Sequence, residues 1–151
     1  MQLHRPENLA SLSALGARIL IVSFAPREVL GDWVRYFQDS ILGPALVEAP
    51  RPGVDPFRLT RFASDPDLAA YHAFGLGRLS RLVVYGPRIL LQYRRWAEEG
   101  RTIQRNTEDK LQRGGDFVID RQGRVAFAHT GRDQADRPPV KTLLRALGNQ
   151  H

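Results

Sequence analysis

Apolar positions along the chain fall into three rhythms, and each rhythm predicts an element. In 6–15, "PENLASLSAL", Leu9, Leu12 and Leu15 recur every third residue, as on one face of a helix. Pro6 suits its first turn, and Gly16 can close it in the left-handed conformation. The next stretch, "ARILIVSFA", is continuously apolar and β-branched over 19–25, which predicts a central strand buried on both faces. Pro26 then opens a stretch where Val29, Leu30, Trp33, Val34 and Phe37 form the apolar stripe of an amphipathic helix. Residues 41–56 hold four prolines and two glycines and are expected to form a loop; "FRLTRF" (57–62) is expected as a short strand. In "SDPDLAAYHAFG", Ser64 or Asp65 caps a helix, Pro66 starts it, Asp67 suits its positive end and Gly75 stops it.

A basic amphipathic stretch follows over 79–100, with Ile89, Leu90, Tyr93 and Trp96 on its apolar side and helix expected from Pro87 onward. The "LVVY" before it suits strand or helix equally. After a polar loop, alternation in "DFVID" and "RVAFAH" around "DRQG" predicts a β-hairpin turning at 120–123. Last, "PPVKTLLRALG" sets Val140, Leu143, Leu144 and Leu147 on one helical face between Pro139 and Gly148. An early parallel β–α–β crossover, then a hairpin and a packing helix, describes a thioredoxin-like three-layer α/β/α fold. The strand at 18–24 is expected at the centre, with the strands at 116–119 and 124–128 beside it.

Length changes this picture little: 151 residues suit one thioredoxin-like domain over 1–151. Cysteine usage changes it greatly. With no cysteine, the chain can form no disulfide, thiolate zinc site, iron–sulfur centre or thiol nucleophile. The longest apolar run is far too short to span a bilayer, and 1–16 lack a signal-peptide layout, so the expected setting is cytoplasmic with no membrane partner.

The net charge of +6 is concentrated between Arg78 and Arg113, where nine Arg or Lys face four acids. Clustered guanidinium groups bind phosphate oxygens well, nucleic acid included. A solvated arginine-rich face accounts for the same charge without any partner.

Candidate chemistry is sparse. His129 ends the second hairpin strand near Arg132, Asp133, Asp136 and Arg137, and Asp116 stands on the first strand. That is a polar cluster where α/β ligand sites gather, or a salt-bridged loop holding the last helix. The second explanation is preferred. The histidines at 4, 72, 129 and 151 lack metal-ligand spacing, and no metal or cofactor is expected. His72 is expected at the surface or boundary. "GLGRLS" (75–80) has Ser80 in place of the third glycine of a dinucleotide fingerprint and follows a helix, so it is rejected. Trp33 and Trp96 are assigned to the core.

Three segments in order bring a family resemblance. "ALGARILIVSFAPREVLGDWVRYF", "FASDPDLAAYHAFGLG" and "GGDFVIDRQGRVAFAHTGRDQADRPPVKTLLRAL" resemble the peroxiredoxin-like branch of the alkyl hydroperoxide reductase / thiol-specific antioxidant family, over roughly 14–148. The resemblance implies a thioredoxin-like fold and thiol peroxidase chemistry, with a reactive cysteine at the start of the helix before "ALGARILIVSF". It also implies a strand before that helix. Neither the strand nor the cysteine turn stands in this chain, so it is expected to be inactive as written, either truncated upstream of Met1 or a pseudo-enzyme. Ser11 and Ser13 cannot replace a thiolate. The resemblance sets Arg113 near the place of an arginine that polarises peroxide. It also places a cis-proline where Gly114 and Gly115 stand, which makes a thioredoxin-style substrate clamp doubtful; two glycines there can let another backbone or a ligand approach. A homo-oligomer through an exposed sheet edge is a further expectation. The alternative function is a basic module contacting anionic partners through residues 78–113.

Overall fold

The computed structural model describes residues 2–43, 54–80, 86–98, 111–133 and 136–149. After a 3-10 turn (Gln2–His4), helix α1 (Pro6–Ala14) buries Leu9 and Leu12 and ends at Gly16, whose φ of +60° explains the glycine. Strand β1 (Ile19–Ser23) leads through Pro26 into α2 (Arg27–Phe37), continued by a π-helical turn (Gln38–Leu42) that buries Leu42. Sequence reasoning assigned this turn in part to a loop.

A helical turn, α3 (Pro56–Leu59), replaces the first half of the strand expected at 57–62. Asp55 causes it: its carboxylate accepts from Phe57 N at 2.9 Å and Arg58 N at 3.3 Å, and Pro56 needs no N–H partner. Strand β2 (Thr60–Ser64) then runs parallel to β1, with Ile19 opposite Thr60 and Ser23 opposite Ser64. Helix α4 (Ala69–Ala73) is capped by Asp65, whose carboxylate accepts from the backbone N of Ala69, Ala70 and Tyr71. Asp65 reaches forward over a Pro66–Asp67 turn, so the helix starts three residues later than its sequence suggested.

Helix α5 (Pro87–Glu98) begins where expected. The hairpin pairs β3 (Gly115–Ile119) antiparallel with β4 (Val125–Thr130), and Asp120 organises its turn by accepting from the backbone N of Gln122 and Arg124. Helix α6 (Val140–Gly148) lies against both hairpin strands and buries Leu143.

These helices and two small sheets fit the thioredoxin-like α/β class. One expectation is corrected. Among the described residues β1 pairs with β2 alone and β3 with β4 alone, so 18–24 is not flanked by the hairpin strands. Its doubly apolar sequence is correspondingly out of place, with Leu20 63% exposed. Ser23 O accepts from Asp65 N on the β2 side, so Val22 O, one residue back, points to the opposite edge. There the Tyr71 hydroxyl donates to it at 3.1 Å, satisfying one group of an edge that has no partner strand among the described residues.

Two apolar clusters hold these pieces. Trp33, Phe37 and Phe62 stack with centroids 5.1–5.7 Å apart, joining α2 to β2 and bearing out the core assignment of Trp33. Phe74, after α4, packs on Phe117 of β3 at 4.6 Å, and Leu76, Leu79, Val118 and Leu143 are buried. The side chains of Ile89, Tyr93 and Trp96 lie outside the described residues, as do "LVVY" and most of the polar loop. Leu90, assigned to the apolar side of its helix, is 69% exposed; the structure puts it on the solvent face.

Candidate functional site

The hairpin register builds the polar cluster. Antiparallel pairing sets Asp116 opposite His129, and Gly131 N donates to Gly114 O at 2.9 Å, extending the ladder by one step. The chain then turns tightly at Gly131, where an added Cβ would meet the carbonyl oxygens of Asp133, Asp136 and Gly114 at 3.1–3.3 Å. This turn is what brings Arg132, Asp133, Asp136 and Arg137 back to the end of the hairpin.

Asp136 is the hub. Its Oδ2 accepts from Arg132 N at 2.9 Å and Arg132 Nε at 3.1 Å, and its Oδ1 lies 3.4 Å from His129 Nε2 without the alignment of a hydrogen bond. The Arg132 backbone N–H above all, then its side chain and charge, hold the Asp136 carboxyl below the usual carboxylate range. Arg137 turns the other way: Nη1 donates to Asp116 Oδ2 at 3.1 Å, and its guanidinium lies 3.5 Å from where a Gly114 Cβ would be. Asp133 is buried, and its carbonyl accepts from Asp136 N at 3.4 Å.

The structure therefore brings together Asp116, His129, Arg132, Asp133 and Arg137. Arg113 stands apart from these ion pairs. Its backbone N donates to Gly77 O at 3.1 Å, and among the described residues its buried Nε has no hydrogen-bond partner. In charge terms, two arginines are each matched to an aspartate, leaving His129 between the two acids. The cluster holds carboxylates, guanidinium groups and one imidazole, and no hydroxyl, thiol or amine side chain.

Gly114 and Gly115 admit close approach as expected, though to the chain's own groups. An added Cβ on Gly115 would lie 2.9 Å from His129 O, Leu76 Cδ2 and Phe117 Cε2. Ser11 of α1 is equally occupied with structure: its Oγ donates to Glu7 O at 3.1 Å, one helical turn back.

Sequence reasoning missed His4, weighing it only for metal spacing. It is 3% exposed, shares a hydrogen bond with Thr60 Oγ1 at 3.3 Å and packs edge-on to Phe37 at 4.9 Å. Burial, then the positive chain terminus, pushes its pKa down to about 4. No signal in a lone histidine near a helix start marks it as core. His72 is exposed, as expected for a surface or boundary position.

Among the described residues no group of three or more His, Asp or Glu could hold a metal ion, and no helix is long and apolar enough to cross a membrane. Compared with known families, residues 5–133 match the one described as AhpC/TSA antioxidant enzyme. The match takes in α1 and ends before α6. No curated protein and no solved structure matches the chain.

Proposed function

The chain belongs to the AhpC/TSA antioxidant enzyme family, and from that premise we propose that it is a peroxiredoxin-like, single-domain cytoplasmic protein without thiol peroxidase chemistry. The observation that carries this reading is the absence of any cysteine in 151 residues. A peroxiredoxin reduces peroxide by thiolate attack on the O–O bond, and no hydroxyl ionises near neutral pH to replace that thiolate. Met1 supplies the sole sulfur. Exposing the protein to hydrogen peroxide and measuring its intact mass tests the reading. Oxygen addition confined to Met1 is expected; oxidation elsewhere that a thiol reductant reverses would overturn it.

The polar cluster, on this reading, serves as a clamp that ties α6 to the hairpin rather than as a ligand site. The internal matching of Asp116 with Arg137 and of Asp136 with Arg132 supports this. Binding through Arg113, Asp116, His129, Arg132, Asp133 and Arg137 is the competing use of the same residues. Pairing of copies along an unmatched sheet edge is a further proposal, supported by two-stranded sheets among the described residues.

A second reading has its own observation. Within the basic segment 78–113, Arg94 and Arg95 are exposed on α5 beside exposed leucines. This favours contact with an anionic partner, which rising salt should weaken steeply.

A further inference from the structure

Among the described side chains of α5, the exposed ones share one helical face. Pro87, Leu90, Leu91, Arg94, Arg95 and Glu98 are all solvent-facing, at successive spacings of three, one, three, one and three. That is the spacing of a single helical face. This face is divided along its length. Its first half carries Leu90 and Leu91, 69% and 58% exposed; its second half carries Arg94 and Arg95, each one turn beyond a leucine. Arg94 Nε also bonds Glu98 at 3.1 Å, which offsets the stripe's acid.

A solvated helix face gains nothing from two adjacent leucines, whereas a surface that meets both apolar and anionic groups does. We propose that this face of α5 docks on an anionic lipid surface, the leucines entering the acyl boundary and the arginines meeting phosphate headgroups. The proposal rests on the second reading above, contact with an anionic partner, and names that partner. The surrounding segment 78–113 has a net charge of +5, which complements an anionic bilayer. Nucleic acid matches the charge but leaves the leucines in water. A protein groove that takes a helix uses apolar anchors repeated over at least two turns, and here the turn after the leucines is cationic. Docking of this kind requires one apolar turn at the interface and no membrane span. It is weak and reversible, because it uses two side chains and a few charges.

The test is sedimentation of the full chain with phosphatidylcholine vesicles, with and without about one-third phosphatidylserine. A single-stranded oligonucleotide serves as a polyanion without an apolar phase. Circular dichroism confirms that each variant remains folded, and all substitutions lie at exposed positions. Binding to the anionic vesicles only is expected. Leu90→Ser/Leu91→Ser should weaken vesicle binding by about tenfold or more and leave oligonucleotide binding unchanged. Arg94→Gln/Arg95→Gln should weaken vesicle binding by roughly 30-fold, about fivefold for each charge near the surface. Oligonucleotide binding without vesicle binding would overturn the lipid assignment and leave the anionic-partner reading standing. No binding to either would overturn both. Vesicle binding that ignores the leucine substitutions would also overturn the proposal.

Discussion

Gly115 shows how tightly one residue can be specified by its neighbours. Three heavy atoms stand 2.9 Å from the position its Cβ would take, one of them the His129 carbonyl oxygen across the strand. Gly115→Ala should therefore force β3 away from β4 and lower stability by about 1–3 kcal/mol. Gly114→Ala meets only the mobile end of Arg137 and should cost less; urea midpoints of the two variants make the comparison. His4 makes a prediction in pH. Its pKa is about 4 folded against 6.5 in the unfolded chain, so the unfolded state takes up the proton first as pH falls. Stability is complete above pH 6.5, declines between 6.5 and 4, and loses about 3 kcal/mol at most to this group. His4→Phe should flatten that decline in denaturation series between pH 7 and pH 4. Neither feature was legible in the sequence, because each depends on which atoms from distant segments arrive beside it. The doublet "GG" signalled close approach but not by what.

At the scale of elements, periodicity and caps were the legible part. The apolar spacing of α2 and α6, the Pro26 and Pro139 starts, and the "DRQG" turn all placed elements correctly within a residue or two. What periodicity could not convey is side-chain competition for the backbone. Asp55 wins Phe57 and Arg58 for a helical turn, and Asp65 delays α4 by reaching forward to Ala69, Ala70 and Tyr71. The polar cluster was legible as a neighbourhood, with its hub at Asp136 fixed only by the turn at Gly131. Docking of α6 is directly testable. Leu143 is buried and Leu144 half-buried, so Leu143→Ala should cost about 2–5 kcal/mol and Leu144→Ala less. Equal denaturation midpoints for parent and Leu143→Ala would mean that α6 does not pack as described.

For the whole molecule, the apolar run of β1 signalled a strand and overstated its surroundings. "ILIV" is a sequence for burial on both faces, yet among the described residues β1 has one partner strand, and Leu20 is exposed. Sequence pattern reports what a strand tolerates; pairing is decided by which other strands are present to bond it. The family, in contrast, was legible from three ordered segments, and the match over residues 5–133 bears it out. The family's cysteine is what the composition lacks. The most direct test of a peroxiredoxin-like protein without peroxidase chemistry is the rate of hydrogen peroxide consumption by the purified chain, with a dithiol as electron donor. The account predicts a rate equal to that of buffer and dithiol alone, at every protein concentration. Consumption that rises in proportion to protein and depends on the dithiol would contradict it.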